Sequence, residues 1–157
     1  MGYDYNSASD KNNYKNLLEL GNMYQDFIMS DLLKQGIVLM QYSSKKYQYE
    51  AGESLSRIEV KFDDRCTETN RLSIEIGEKQ IYATKYERSG IFRNDNSLFY
   101  VQGNLQKYFF FSKKTLKRYF LQNMNTINVE NYPTLKKFYL NFEIAEDLCE
   151  FSVANTI

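Results

Sequence analysis

Apolar positions Leu17, Leu20, Tyr24, Phe27, Ile28 and Leu32 recur at helical spacing, which predicts an amphipathic helix over residues 13–35. Gly36 sits where such a helix stops, because the residue just past a helix often adopts the left-handed conformation. The polar stretch before the helix, residues 1–12, is expected to be frayed and flexible. Beyond Gly36 the pattern changes. The run Ile37, Val38, Leu39, Met40 predicts a short buried strand, and residues 47–50 a second.

Residues 57–63 alternate strictly between charged and apolar. As a strand they place Ile58, Val60 and Phe62 on one face and Glu59, Lys61 and Asp63 on the other. Residues 72–76 repeat the pattern, with Leu72, Ile74 and Ile76 inward and Glu75 opposite. A hairpin of these two strands across the polar loop 64–71 brings Glu75 beside Glu59 and Lys61, in a register that the pattern leaves open.

A loop-rich stretch, 77–97, leads to strands expected at 97–102 and 107–111, joined through Gly103 and Asn104. Ser112 is a suitable N-cap for a helix over 113–123. On that helix Leu116, Tyr119 and Phe120 face the core, while Lys114, Lys117 and Arg118 share an outer face. Pro133, the single proline, marks a boundary before a last helical or mixed segment. With 157 residues, 43% apolar and 25% charged, the chain reads as one α/β domain over 1–157, a central mixed β-sheet flanked by helices.

Composition narrows the chemistry. Histidine is absent, which excludes Ser-His-Asp and Cys-His triads and His-ligated zinc or copper. Cys66 and Cys149 have neither zinc-ligand spacing nor the density of a disulfide scaffold, and read as free thiols in a reducing compartment. No secretory leader is evident and no apolar run approaches the ~18 residues of a membrane span. The expectation is a soluble, cytoplasmic protein without a membrane partner.

The 20 basic and 20 acidic residues cancel, but they are segregated: −2 over 1–40, zero over 41–97, +6 over 98–142 and −4 over 143–157. The basic block holds Lys107, Lys113, Lys114, Lys117, Arg118, Lys136 and Lys137, interleaved with Tyr and Phe. That composition suits a surface facing a polyanion, and it equally suits a solvated helix face beside a buried aromatic strand.

Glu59-x-Lys61 on a strand has a specific chemical logic. Phosphodiester hydrolysis uses a divalent cation to activate water and offset charge. Mg²⁺ prefers carboxylates, carbonyls and water, and a lysine on the same face can orient the water or steady the transition state. The competing reading is a solvated strand face with a cross-strand ion pair worth under ~1 kcal/mol.

The stretch 52–63 resembles the core motif of the PD-(D/E)xK nucleases, the restriction-endonuclease-like superfamily that includes resolvases and many small phage nucleases. Residues 21–25 (Gly21 to Gln25) resemble that family's G-x-x-(Y/F)-E helix motif, residues 71–75 the strand after E-x-K, and Ser89-Gly90-Ile91 the S-G-I turn of its phage-type members. The strands 99–101 and 108–111 and the basic helix 112–120 fit the end of such a domain, so the likeness spans about residues 17–120. It implies a restriction-endonuclease-like core and a Mg²⁺- or Mn²⁺-dependent phosphodiesterase acting on DNA, branched or single-stranded. It assigns Glu53 (with Glu50 as competitor), Glu59 and Lys61 to catalysis, and Glu53, Glu59, Glu75 and Asp63 to the metal. Lys113, Lys114, Lys117 and Arg118 would contact phosphates, and many relatives of this fold form homodimers. The chain departs from the pattern in having Glu53 for the first Asp, only six residues before Glu59, and Gln25 for the helix-borne Glu, for which Asp26 or Glu19 are candidates. These departures define an alternative, a catalytically inactive module of the same fold that binds nucleic acid or a protein partner.

Overall fold

The computed structural model describes residues 8–155. The chain divides into two compact units, Met1–Val38 and Leu39–Ile157. Of the stretch expected to be flexible, residues 1–7 lie outside the described residues, and helix α1 (Ala8–Lys34) starts earlier than the periodicity suggests. It ends as Gly36 requires. With φ +80° at Gly36, the Ile37 N–H reaches back to the Leu32 carbonyl at 2.9 Å and the Gly36 N–H to that of Leu33 at 3.0 Å, the paired bonds of a Schellman stop.

The second unit contains two four-stranded sheets. The first is the central mixed sheet, with strands β1 (Ile58–Phe62), β4 (Phe99–Gly103), β5 (Lys107–Ser112) and β8 (Phe151–Ala154) in that order; β1 runs parallel to β4 and the other pairs are antiparallel. The second is wholly antiparallel, in the order β3 (Glu87–Arg88), β2 (Arg71–Glu78), β7 (Leu135–Asn141), β6 (Val129–Asn131). Helices α2 (Lys45–Glu50), α3 (Cys66–Thr69), α4 (Lys113–Gln122) and α5 (Phe142–Leu148) connect or flank the strands.

Apolar side chains from both sheets share one core. Leu72, Ile74, Phe138 and Leu140 from the antiparallel sheet meet Tyr100, Phe109 and Phe111 from the mixed sheet, with Leu116 of α4 and Ala145 of α5. Strand β5 is buried from Tyr108 through Phe111, as its unbroken aromatic run implies for a strand covered on both faces. Polar bonds tie the sheets together as well. Asp63, just past β1, accepts from the Ser73 N–H on β2 at 2.7 Å and from Gln102 Nε2 on β4 at 2.9 Å. Gln102 Nε2 also donates to the Ser73 carbonyl at 2.8 Å.

Three expectations are corrected. Residues 37–40 form no strand: only Leu39 is buried, Val38 and Met40 are exposed, and the adjoining pairing is a single bridge between Gln41 and Ser54. Residues 47–50 belong to helix α2, which Gln48 stabilises by donating its side-chain amide to the Tyr42 carbonyl at 3.2 Å. The strands β1 and β2 do not pair in a hairpin, since α3 and the left-handed Asn70 (φ +54°) send β2 into the other sheet. The segment expected to be helical or mixed after Pro133 is mixed, with β7, then α5 and β8; Pro133 itself lies in the β6–β7 turn, where the chain needs no amide donor from it. Strands β4 and β5 and helix α4 fall within a residue or two of the expected limits, although Ser112 caps α4 by position only, without a side-chain bond.

Candidate functional site

Strand alternation does place Glu59 and Lys61 on one face, but that face is not solvated. Glu59 is only 1% exposed. Three elements close over it: β2 brings Glu75, the segment between the 3₁₀ turn Gly90–Phe92 and β4 brings Asp95, and the first residue of α4 brings Lys113. Glu59 Oε2 lies 3.1 Å from Lys113 Nζ, and Oε1, which makes no hydrogen bond, lies 3.2 Å from Lys61 Nζ. Lys113 is 2% exposed and also donates to Asp95 Oδ1 at 3.2 Å.

The ion pairs continue in both directions. Asp95 Oδ2 is 3.6 Å from Arg93 Nε, and Arg93 Nη1 holds Glu53 Oε1 at 2.8 Å. Arg93 Nη2 is fixed by the carbonyls of Gln48 and Tyr49 at the end of α2. On the other side Lys61 Nζ lies 3.8 Å from Glu75 Oε2, and Glu75 Oε1 accepts from the Ser89 hydroxyl. Four carboxylates thus alternate with three cations: Glu53, Arg93, Asp95, Lys113, Glu59, Lys61, Glu75. Burial pulls the Lys61 ammonium toward a lower pKa, but Glu59, Glu75 and Glu53 outweigh it and hold the group above the usual lysine value.

Backbone geometry fixes the ends of this row. Gly90 has φ +53°, and a Cβ there would stand 2.2 Å from the Glu75 carbonyl oxygen, so the Ser89-Gly90-Ile91 turn lies directly on β2 at the carboxylate it caps. The segment carrying Glu53 is strapped by Asn96, whose side-chain amide donates to the Ser54 carbonyl at 3.2 Å and whose N–H donates to the Ala51 carbonyl at 2.9 Å.

Lys61 opens into a groove of about 560 Å³ between the two sheets. Arg71, Tyr132, Lys137 and Tyr139 form its other wall. The Arg71 guanidinium stacks 3.7 Å from the Tyr139 ring centre, and Lys137 Nζ lies 4.4 Å from the Tyr132 centre and 5.3 Å from that of Tyr139. The register explains the row, because Ser73 pairs with Tyr139 and Glu75 with Lys137, so alternate residues of β2 and β7 share this face. No family model, curated protein or solved structure matches the chain.

The structure therefore gathers Glu53, Glu59, Lys61 and Glu75 into one ion-pair row, while Asp63 lines the groove but is committed to Ser73 and Gln102. Lys113 is not on the outer face of α4: as the first helical residue it turns inward to two buried carboxylates. Lys114 and Arg118 are exposed on that helix, and burial together with the Lys113 charge holds Lys117 below the usual lysine value. Among the described residues no three Asp, Glu or Cys side chains are placed to share a metal ion. Each carboxylate of the row already faces an ammonium or guanidinium, so the donor set as it stands does not fit a divalent ion.

Arg71, Arg93, Asp95, Tyr132 and Tyr139 also build the site, and no sequence motif singles them out. The alternation Lys137, Tyr139, Asn141 is the signal in the sequence for the groove wall, and it is obscured where the segment after Pro133 reads as helical or mixed. Arg93 and Asp95 lie in a loop, where no periodicity marks them.

Cys66 and Cys149 carry free thiols. Burial, with the Asp63 charge beside it, pushes the Cys66 thiol up to about 12, so it behaves as a core side chain rather than a nucleophile.

Proposed function

We propose that the chain binds DNA in the groove between its two sheets, through the sugar–phosphate backbone, as a module of a restriction-endonuclease-like core. The row Arg71, Tyr139, Lys137, Tyr132 beside Lys61 carries this reading. A guanidinium stacked on a ring is held in place before a ligand arrives, so little side-chain freedom is lost when it meets a phosphate. Of the acids lining the groove, Asp63 and Glu75 are turned to internal donors, so that Asp64 is the one acid facing Lys61, Arg65, Arg71 and Lys137 there. The parallel β1–β4 pair in a mixed sheet, with Glu59 and Lys61 on β1, supports the finer fold assignment. Single-stranded or branched DNA suits a groove that contacts phosphates without a helix to enter a base-pair groove.

A second reading is favoured by one observation: Lys61 lies beside Glu59 and Glu75, with Glu53 close enough to raise its pKa. In that reading the chain is a Mg²⁺- or Mn²⁺-dependent nuclease, a role for which the carboxylates would have to leave their present cations. Fluorescence anisotropy of a labelled single-stranded DNA oligonucleotide separates the two. Equal affinity in EDTA and in Mn²⁺, with the oligonucleotide intact, is the expected result. Binding or cleavage that appears only with Mn²⁺ establishes the second reading, and no binding in either condition overturns the first.

A further inference from the structure

Two carboxylates from different elements, Glu59 on β1 (1% exposed) and Asp95 before β4 (3% exposed), point at one buried position. Bringing two ionised carboxylates together away from water is costly unless a cation lies between them. The atom that lies there is Lys113 Nζ, 3.1 Å from one and 3.2 Å from the other. We propose that Lys113 is the resident cation of this centre. Its ammonium occupies the position that a divalent ion would need in order to use Glu59, and it makes the arrangement of Glu59 and Lys61 independent of metal.

The placement has a reason in the chain. Lys113 is the first residue of α4, held where β5 ends because its N–H donates to the Leu98 carbonyl at 2.8 Å. From there the side chain runs inward with both of its carboxylate partners supplied by neighbouring elements. Through Glu59 it acts as a positioning residue for Lys61. Glu59 Oε2 is fixed by Lys113, and this aims Oε1 at the Lys61 ammonium that enters the groove.

The inference goes beyond DNA binding and is tested without DNA, so either can fail alone. Thermal melting of the wild-type protein with and without Mn²⁺ is the first arm, and an unchanged melting temperature is expected. A rise that Glu59→Gln abolishes overturns the proposal, because Glu59 would then be free to take metal. The second arm is Lys113→Met, which leaves the two carboxylates facing each other. This variant is expected to melt below wild type and to be raised by Mn²⁺, and the rise is expected to vanish in Lys113→Met with Asp95→Asn. A folded Lys113→Met that melts at the wild-type temperature, or that Mn²⁺ does not raise, overturns the assignment. Should Lys113→Met not fold at all, the wild-type arm alone decides.

Discussion

A carboxylate taken out of water is stable only if its charge is met, and Glu59 is met twice, by Lys61 at 3.2 Å and Lys113 at 3.1 Å. These two lysines differ in what they can do. Lys113 is sealed, whereas Lys61 keeps about a third of its side chain exposed, at the groove. The carboxylates around Lys61 outweigh its burial and raise its pKa, and the sign of that shift has a measurable consequence. A group whose pKa is raised on folding contributes stability in full below its unfolded value, and loses the contribution as pH climbs through the folded one. In urea melts, the stability gap between wild type and Lys61→Met should therefore stay level up to about pH 10 and narrow only above it. A gap already closing between about pH 6 and 8 would contradict the assigned environment.

At the scale of elements, the site is made by strands and turns that are far apart in sequence. Strand β1 supplies Glu59 and Lys61, β2 supplies Glu75, and the short turn Ser89-Gly90-Ile91 holds Glu75 from behind. Gly90 is the residue that allows this contact. Any side chain there meets the Glu75 backbone, and the φ of +53° is itself unfavourable for a residue with a Cβ. Gly90→Ala should cost on the order of 1–3 kcal/mol, read from the denaturant midpoint, and weaken DNA binding as Glu75 shifts against Lys61. A stable Gly90→Ala with wild-type binding would show that the turn does not position the carboxylate. The helix α4 has two roles from one short sequence: Lys113 points into the core, and Lys114 and Arg118 point out.

For the molecule as a whole, the parts legible in the sequence were those set by local periodicity. The alternation at 58–62 gave β1, Gly36 gave the end of α1, and the apolar positions around Leu116 gave α4. Partner choice was not local. Nothing in residues 57–76 says that β1 pairs with β4, forty residues on, and that β2 pairs with β7 instead. The nearness of Glu75 to Lys61 was anticipated, but it arises between sheets, where Asp63, Ser73 and Gln102 bind them together, and not within a hairpin. Periodicity leaves open whether the Glu59 face is solvated, because a strand pattern cannot tell a solvated face from one covered by another sheet. The family resemblance assigns phosphate contacts to α4, whereas the groove draws only Lys137 from the +6 block and takes Lys61, Arg65 and Arg71 from a stretch with no net charge.

That difference gives the account its decisive test. Two double variants, Arg71→Gln with Lys137→Gln in the groove and Lys114→Gln with Arg118→Gln on α4, remove the same charge from different faces. Their affinities for a labelled single-stranded DNA oligonucleotide in EDTA are to be compared over a salt series. Wild type should show a log–log salt slope of about −2, from phosphate contacts by Lys61, Arg71 and Lys137. The groove variant should lose most of that slope and at least tenfold in affinity, about 1.4 kcal/mol, while the helix variant stays near wild type. The reverse order, with the helix variant losing binding and the groove variant keeping it, would contradict the claim that the groove is where this protein meets DNA.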